Sequence, residues 1–329
     1  MNIAIIGLGV GERHLSFLKK DKNVNKIKIF DFNKSKMIRL SKKYNVEIFD
    51  NENEIYKDKS INLVCICSYD NYHHDQIVKS IKCKKHVFVE KPAVDNFKSA
   101  KKIYNLLKEN KKIFFNSNYI LRKYPKFNYL KKSIKQKKFG KIYYFEGDYN
   151  YGRLTKLTKG WRGKIPFYSV TNGGGIHIID ISNYLLNDKI IEVKSYSNKF
   201  ATYKSKFKFA DCVVTIAKFK SGAIGKFTSN FGCVYPHFHK ISIYGTSKTY
   251  ESTPSSTNLY YAPEEKRSLN LKFNDKVNKG LILKDFISSI KQKKNRNKFI
   301  DEVFSSLSIC FAIDKSYKEN RNVKINYIK

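Results

Sequence analysis

Residues 1–118 alternate between short runs rich in Val, Ile, Phe and Cys and stretches whose apolar residues recur at helical spacing. Few architectures accept that alternation. Neighbouring parallel strands need a crossover of about a dozen residues or more, so the pattern predicts a parallel sheet with right-handed helical connections. Strands are expected at Asn2–Ile6, Lys26–Asp31, Val46–Phe49, Leu63–Ser68, His86–Glu90 and Lys112–Asn116. Helices are expected at Gly11–Lys20, Lys34–Lys43, Asn71–Cys83 and Asp95–Glu109. Most of these strands are nearly continuous apolar runs, as burial on both faces requires.

The pattern changes after residue 118, which predicts two domains, 1–118 and 119–329. A helix over Pro125–Lys137 leads to a long strand at Ile142–Tyr149, a polar loop at Gly152–Asn172 and a helix over Gly175–Leu186. Alternating segments follow at Glu192–Ser197, Asp211–Lys220, Ala223–Asn230 and Phe238–Gly245, with Ser221-Gly222 as a tight hairpin signal. Helices over Leu281–Gln292 and Asp301–Tyr317 and a strand at Val323–Tyr327 end the chain. The second domain is therefore expected to be α+β, with a large, mostly antiparallel open sheet. Cys212–Ala217 puts apolar residues on both sheet faces, which predicts that one face is covered by a second copy.

The formal net charge of +37 would ordinarily suggest nucleic acid or an anionic surface as partner. Here the lysines are spread along the whole chain, in pairs such as Lys42-Lys43 and Lys137-Lys138. A solvated basic surface is the better reading, and no nucleic-acid partner is expected. No apolar run approaches the ~18–20 residues of a membrane helix, and the short apolar stretch at Met1–Gly7 does not read as a signal peptide. A cytoplasmic location is expected. Cys65 and Cys67 share one face of a strand, whereas Cys83, Cys212, Cys233 and Cys310 are scattered. That spacing predicts buried free thiols and no metal site.

The first strand runs into Gly7-Leu8-Gly9-Val10-Gly11 and then a helix, the context in which G-x-G carries information. Gly7 permits the tight turn, Gly9 lets backbone approach a pyrophosphate, and Val10 and Gly11 open the helix whose N–H groups face phosphate. This is a Rossmann nucleotide site with one departure: Glu12 stands where the third glycine belongs, and Gly11 precedes it. Asp31 ends the second strand, 22 residues after Gly9, where a carboxylate binds ribose hydroxyls and repels a 2′-phosphate. NAD is expected over NADP. The alternative is an ordinary strand–helix turn with Asp31 as a helix cap.

The fifth strand ends in Glu90-Lys91-Pro92, and strand C-termini face the cofactor crevice in such sheets. A lysine there suits holding a reacting hydroxyl. Ser68–His73 and Lys84–Pro92 together resemble the T-P-x-x-x-H and G-K-H-V-x-x-E-K-P segments of the glucose–fructose oxidoreductase / inositol dehydrogenase (Gfo/Idh/MocA) family. Leu121–Phe127 is similar to the family's R-x-x-P-x-F helix start, Phe139–Ile142 to its G-x-I entry, and Tyr244-Gly245-Thr246 to its G-T strand end. The resemblance covers nearly the whole chain. It implies a homodimer or homotetramer oxidising a secondary hydroxyl of a sugar, cyclitol or nucleotide sugar, with Ser68, His73 and Glu90 beside the cofactor and Arg122 beside the substrate.

The family's catalytic pattern places an Asp four residues before a His and another Asp three residues after it. Gly173–Asp180 supplies His177 and Asp180, but Gly173 stands where the first Asp would be. His177 is the expected general base, with Asp180 at i+3 able to orient its ring. A satisfied core histidine is the alternative. The glycines at 173–175 are expected to leave room for a ligand. Tyr149, Tyr151, Arg153, Trp161, Arg162 and Tyr168 mark the loop Tyr149–Thr171 as a specificity element for a sugar bearing an anionic group. Lys91 and His177 are the expected catalytic pair. A non-catalytic NAD-binding regulator is the second reading, motivated by Gly173 and the altered glycine fingerprint.

Overall fold

The computed structural model describes residues 1–261, 267–274 and 277–329, and packing divides the chain into two compact units. The first holds Met1–Ile120, Val277–Ser305 and Ile328–Lys329; the second holds Leu121–Lys276 and Ser306–Tyr327.

In the first unit, strands β1 (Asn2–Ile6), β2 (Lys26–Phe30), β3 (Glu47–Ile48), β4 (Leu63–Ile66), β5 (His86–Val89) and β6 (Phe115–Ser117) form one sheet in the order β3-β2-β1-β4-β5-β6. Every pairing is parallel, with Ile5 opposite both Ile29 and Cys65. Every residue of β4 is buried, as is all of β5 after its first residue. That burial is why their sequences are continuous apolar runs. Helices α1 (Gly11–Leu18), α2 (Lys34–Tyr44), α3 (Glu52–Lys57), α4 (Asp70–Lys82) and α5 (Phe97–Glu109) make the crossovers. Asparagines set three of the starts: the side chains of Asn33, Asn51 and Asn96 accept from the backbone N–H three residues on. The strand order reverses between β1 and β4, so the loops after these strands diverge and leave a crevice at the sheet's C-terminal edge.

Residues expected wholly within a C-terminal domain also belong to this unit. Helix α9 (Leu281–Lys291) brings Phe286 against Phe88 and Phe114, at ring-centroid distances of 5.8 and 6.5 Å. The first part of α10 (Arg296–Lys318) stacks Phe304 on Phe115 at 5.7 Å. Arg296 donates to the carbonyls of Leu107 and Ile113 at 2.5 and 2.7 Å. Burial of aromatic surface decides this membership, and sequence proximity does not reveal it.

In the second unit, β7 (Ile142–Asn150), β8 (Ile190–Asn198), β9 (Cys212–Phe219), β10 (Ile224–Asn230), β11 (Phe238–Gly245), β12 (Lys248–Ser252), β13 (Thr257–Tyr261), β14 (Ser268–Asn270) and β15 (Val323–Lys324) build a second sheet. Its order is β14-β13-β12-β11-β7-β10-β9-β8-β15, antiparallel at every described pairing except β7 with β10. Helix α6 (Pro125–Lys135) starts on a proline, which fits the first helical position. The expected loop at 152–172 contains a short α7 (Thr155–Thr158) and a 3-10 turn at Trp161–Gly163. A π-helical turn at Thr171–Gly175 then runs into α8 (Ile176–Leu186). Helix α8 crosses β7 so closely that a Cβ on Gly147 would collide with Ile178. On β9, Val213, Thr215 and Ala217 face the core, while Val214 and Ile216 are 38 and 49% exposed.

Among the described residues no helix is long and apolar enough to cross a membrane. All six cysteines are free, but only Cys65, Cys67 and Cys310 are buried; Cys83, at the end of α4, is exposed, and Cys212, at the start of β9, and Cys233, after β10, are half-buried.

Candidate active site

The glycines between β1 and α1 differ in what they do. Gly7 has φ +83°, and a Cβ there would stand 2.6 Å from the Cys67 carbonyl and the Ser68 amide, so no other residue fits. Gly9 has open space where its side chain would be, which is what a closely approaching pyrophosphate needs. Gly11 packs α1 onto the sheet, with its missing Cβ 3.1 Å from Ile5 and 3.3 Å from Cys67. It thus performs the close-packing role expected of a glycine at 12. The Glu12 carboxylate is neutralised sideways by Lys43 at 3.1 Å, and the Lys43 hydrogen bond holds its pKa below the usual range. Val10 caps α1 without a side-chain hydrogen bond, and its carbonyl accepts from the Arg13 amide at 2.9 Å. A cleft of ≈ 580 Å³ opens beside Gly9, lined by Glu12, Arg13, Tyr44 and Lys279 among others.

Asp31 accepts from the Leu8 amide at 2.5 Å and from the Asn33 amide at 2.8 Å. It fastens the glycine loop to the end of β2, and a carboxylate retains further acceptor capacity for ribose hydroxyls. No cation pairs with it among the described residues, and its charge opposes a 2′-phosphate. Asp31→Ala is expected to narrow the NAD over NADP preference by about tenfold or more, measured as the ratio of dissociation constants. Equal NADP binding by the unmutated protein would remove this role from Asp31.

At the ends of β4 and β5 the expected residues come together, but several are occupied internally. His73 is fully buried and faces two backbone carbonyls, Pro92 O at 2.8 Å from Nδ1 and Ser68 O at 3.2 Å from Nε2. It ties the loop that carries Lys91 to α4 and leaves no ring nitrogen for a cofactor. Ser68 donates to Gln76 at 2.6 Å. Glu90 Oε1 is held by His14 Nε2 at 2.9 Å and by the Asn118 amide at 2.8 Å. Burial alone would push the Glu90 carboxyl up, but His14, Asn118 and the charge of Lys279 bring it down to about 2. His14 loses basicity to burial and regains more from Cys65 and Glu90, so its pKa is raised. Glu90 is therefore the anchor of the strand end. Lys91 follows it, half-buried, and the Lys91-Pro92 peptide is cis.

In the second unit Asp180 is engaged by Arg122. It is 1% exposed and accepts from both Nε and Nη2 of Arg122, at 2.9 and 2.6 Å, with Ser306 at 3.3 Å. Arg122 and Asp180 form a bidentate ion pair, with the guanidinium side chain 15% exposed. The glycine run also differs from expectation. A Cβ on Gly173 would fall on the Tyr168 hydroxyl, one on Gly174 on Tyr149 and Phe231, and one on Gly175 on the Ser229 hydroxyl. These positions are glycine because the protein's own side chains, the rings of Tyr168, Tyr149 and Phe231 and the Ser229 hydroxyl, fill the Cβ space. Ser169 Oγ links this turn to Asp314, accepting from Asn172 N and donating at 3.0 Å in each case. Burial raises the Asp314 pKa to about 6 despite the hydrogen bond from Ser169.

His177, 9% exposed, begins α8 and lies parallel to Tyr149 at 6.1 Å. Tyr149 is buried, and burial pushes its phenol well above the usual range. Around it stand two histidines that the sequence reading passed over: His237 at 5.4 Å and His239 at 5.3 Å, with His239 5.6 Å from His177. His239 lies on the expected strand Phe238–Gly245 and His237 immediately precedes it, so their closeness in sequence was the available signal. Register completes the cluster, because His239 is directly opposite Tyr149 across β11 and β7. From the loop, Arg153 lies over Tyr151 at 5.7 Å, Arg162 over Trp161 at 4.5 Å, and Arg162 Nε donates to Tyr168 at 3.0 Å. The arrangement offers imidazole for proton transfer beside aromatic faces and guanidinium donors.

Residues 1–118 match the family model described as "Oxidoreductase family, NAD-binding Rossmann fold", and residues 131–325 match its partner, "Oxidoreductase family, C-terminal alpha/beta domain". The myo-inositol 2-dehydrogenase of Thermotoga maritima is 24% identical over all of this chain and 99% of its own length. The scyllo-inositol 2-dehydrogenase (NAD(+)) of Bacillus subtilis is 26% identical over 59% of this chain and 55% of its own. Among solved structures, levoglucosan dehydrogenase in complex with NADH superposes with a TM-score of 0.88 at 17% identity, covering 100% of both chains. The myo-inositol 2-dehydrogenase of Lactobacillus plantarum gives 0.85 at 17% identity, covering 99% of each. These structural likenesses speak to the fold. With the glycine turn, Asp31 and the two sheets in place, and with family models matching most of its length, the chain belongs to the Gfo/Idh/MocA family of NAD-dependent oxidoreductases.

Proposed function

We propose that the protein reversibly oxidises a secondary hydroxyl of a cyclitol, sugar or nucleotide sugar. The observation that carries this reading is end-to-end similarity to a myo-inositol 2-dehydrogenase combined with Lys91 at the C-terminal end of β5. Gly7, Gly9, Val10, Gly11 and Asp31 fit the pyrophosphate and adenosine ribose of NAD, on the evidence of the open space at Gly9 and the shape forced by Gly7. When bound, NAD supplies the hydride acceptor. In this reading Lys91 donates a hydrogen bond to the reacting hydroxyl oxygen and favours its loss of a proton. His177 accepts that proton, as an imidazole with near-neutral basicity suits. Tyr149, Tyr151, Arg153, Trp161 and Arg162 line the substrate, and the three guanidinium–ring pairs there favour polyols with an anionic or electron-rich oxygen. Arg122 and Asp180 act as a structural pair. The assay is NADH formation from NAD across myo-inositol, scyllo-inositol, aldoses and nucleotide sugars. NADH with at least one of them supports the reading, and none with any of them favours a non-catalytic NAD-binding protein.

Residues 1–118 serve the nucleotide, and 119–329 serve substrate and assembly. The outer sheet face supports a homodimer or homotetramer: Val214, Ile216 and Tyr196 are 38, 49 and 65% exposed, and Val214 pairs with Tyr196 across β9 and β8. A dimer or tetramer is expected by sedimentation at micromolar concentration, and Ile216→Lys is expected to shift it toward monomer. A monomeric unmutated protein would contradict the assembly. Six free thiols support a reducing compartment, the cytoplasm.

A further inference from the structure

Single exposed apolar residues are ordinary in a folded chain, whereas large rings exposed together mark a surface that something covers. One such pair stands beside Asp31. Phe32 is 64% exposed and Tyr72, on the first turn of α4, is 42% exposed, with ring centroids 5.6 Å apart. Phe30, which is buried, braces Phe32 edge-on at 5.6 Å. The two rings are therefore held in place while much of their surface faces outward. Both chain segments are also fastened to the glycine turn. Asp31, next to Phe32, accepts from the Leu8 amide, and Ser68, at the start of the loop that leads to Tyr72, lies against Gly7. The pair thus bridges the loops that follow β2 and β4, the two neighbours of β1.

We propose that Phe32 and Tyr72 form the platform on which the base of the dinucleotide stacks, and that they read its face and not its edges. This role rests on the nucleotide site at Gly7, Gly9 and Asp31 and does not depend on which polyol is oxidised. Asp31 fixes where the ribose hydroxyls lie. The base is one bond away from that ribose, so it falls within reach of the residue that follows Asp31 in the chain. What the chain presents there is ring surface already held in position, which needs little further ordering on binding. Every nucleobase has a π-face, so stacking of this kind tolerates a change of base. The site is therefore expected to take a nicotinamide dinucleotide carrying hypoxanthine as well as one carrying adenine.

The test measures dissociation constants of NADH and of reduced nicotinamide hypoxanthine dinucleotide by titration calorimetry. The unmutated protein is expected to bind the two within about threefold of each other. Phe32→Ala is expected to weaken both alike by about 5–150-fold, the range for removing one stacking ring. Because Phe32 is largely exposed, this variant should keep the thermal midpoint of the ligand-free protein, so that lost binding is not lost folding. Phe32→Trp should bind both dinucleotides as well as the unmutated protein does, a rescue that belongs to stacking. Tyr72→Phe keeps the ring and should stay within about twofold. Unchanged binding by Phe32→Ala would overturn the platform. A hypoxanthine dinucleotide bound more than about tenfold more weakly than NADH, or a loss of binding in Tyr72→Phe, would overturn recognition by the face alone. Failure of the unmutated protein to bind either dinucleotide would remove the NAD site itself, and this proposal with it.

Discussion

Lys91→Met and His177→Ala are each expected to lower kcat by about 10²–10⁴-fold, the usual cost of losing a positioned acid–base group. NADH binding should change little, because Gly7, Gly9 and Asp31 cluster at the ends of β1 and β2, whereas Lys91 lies two residues past β5, two strands beyond β1. Methionine keeps most of the lysine's volume, so a loss at 91 reports on the ammonium and not on packing. Steady-state NADH formation gives kcat, and quenching of protein fluorescence gives the dissociation constant. Near-normal turnover in both variants would contradict the mechanism and favour the regulatory alternative. Activity retained in His177→Ala alone would move the proton route to Lys91 and water.

The second large effect concerns stability. Arg122→Met leaves the 1%-exposed Asp180 carboxylate without its bidentate partner, which should destabilise the second unit by about 3–5 kcal/mol. Asp180→Leu should be similarly damaging, since it strands the guanidinium. Arg122→Met combined with Asp180→Leu should cost less than the sum, because an apolar pair has no charge to desolvate. Trp161 is the chain's one tryptophan and lies in this unit, so its fluorescence follows the relevant transition in urea. Additive costs would show that the pair is not coupled.

Elements whose sequence has a single dominant cause were legible. The buried strands β1, β4 and β5 read as such because burial on both faces admits little besides apolar residues. The hairpin at Ser221-Gly222 was equally plain, with Gly222 at φ +92°. Strands β12, β13 and β14 were not legible, because they are short and largely polar, and the sheet pairing that defines them is non-local. The same contrast holds in the site. Gly7, Gly9 and Asp31 sit in a local strand–turn–helix context that announces them. Gly173–Gly175 misled, since a glycine says only that a neighbour is close and not whether that neighbour is ligand or protein. His14 and Asn118, which hold Glu90, are distant in sequence and carry no motif. His239 needed the β7–β11 register to bring it to Tyr149.

The central claim is direct hydride transfer from a carbinol carbon under the control of this chain's residues. The most direct measurement uses a cyclitol or sugar bearing deuterium at each carbinol carbon, incubated with the protein and NAD, followed by mass spectrometry of the reduced nucleotide. The account predicts one deuterium on C4 of the nicotinamide, with none lost to water. Reduced nucleotide free of deuterium, or no reduction with any deuterated polyol despite NAD binding, would contradict it.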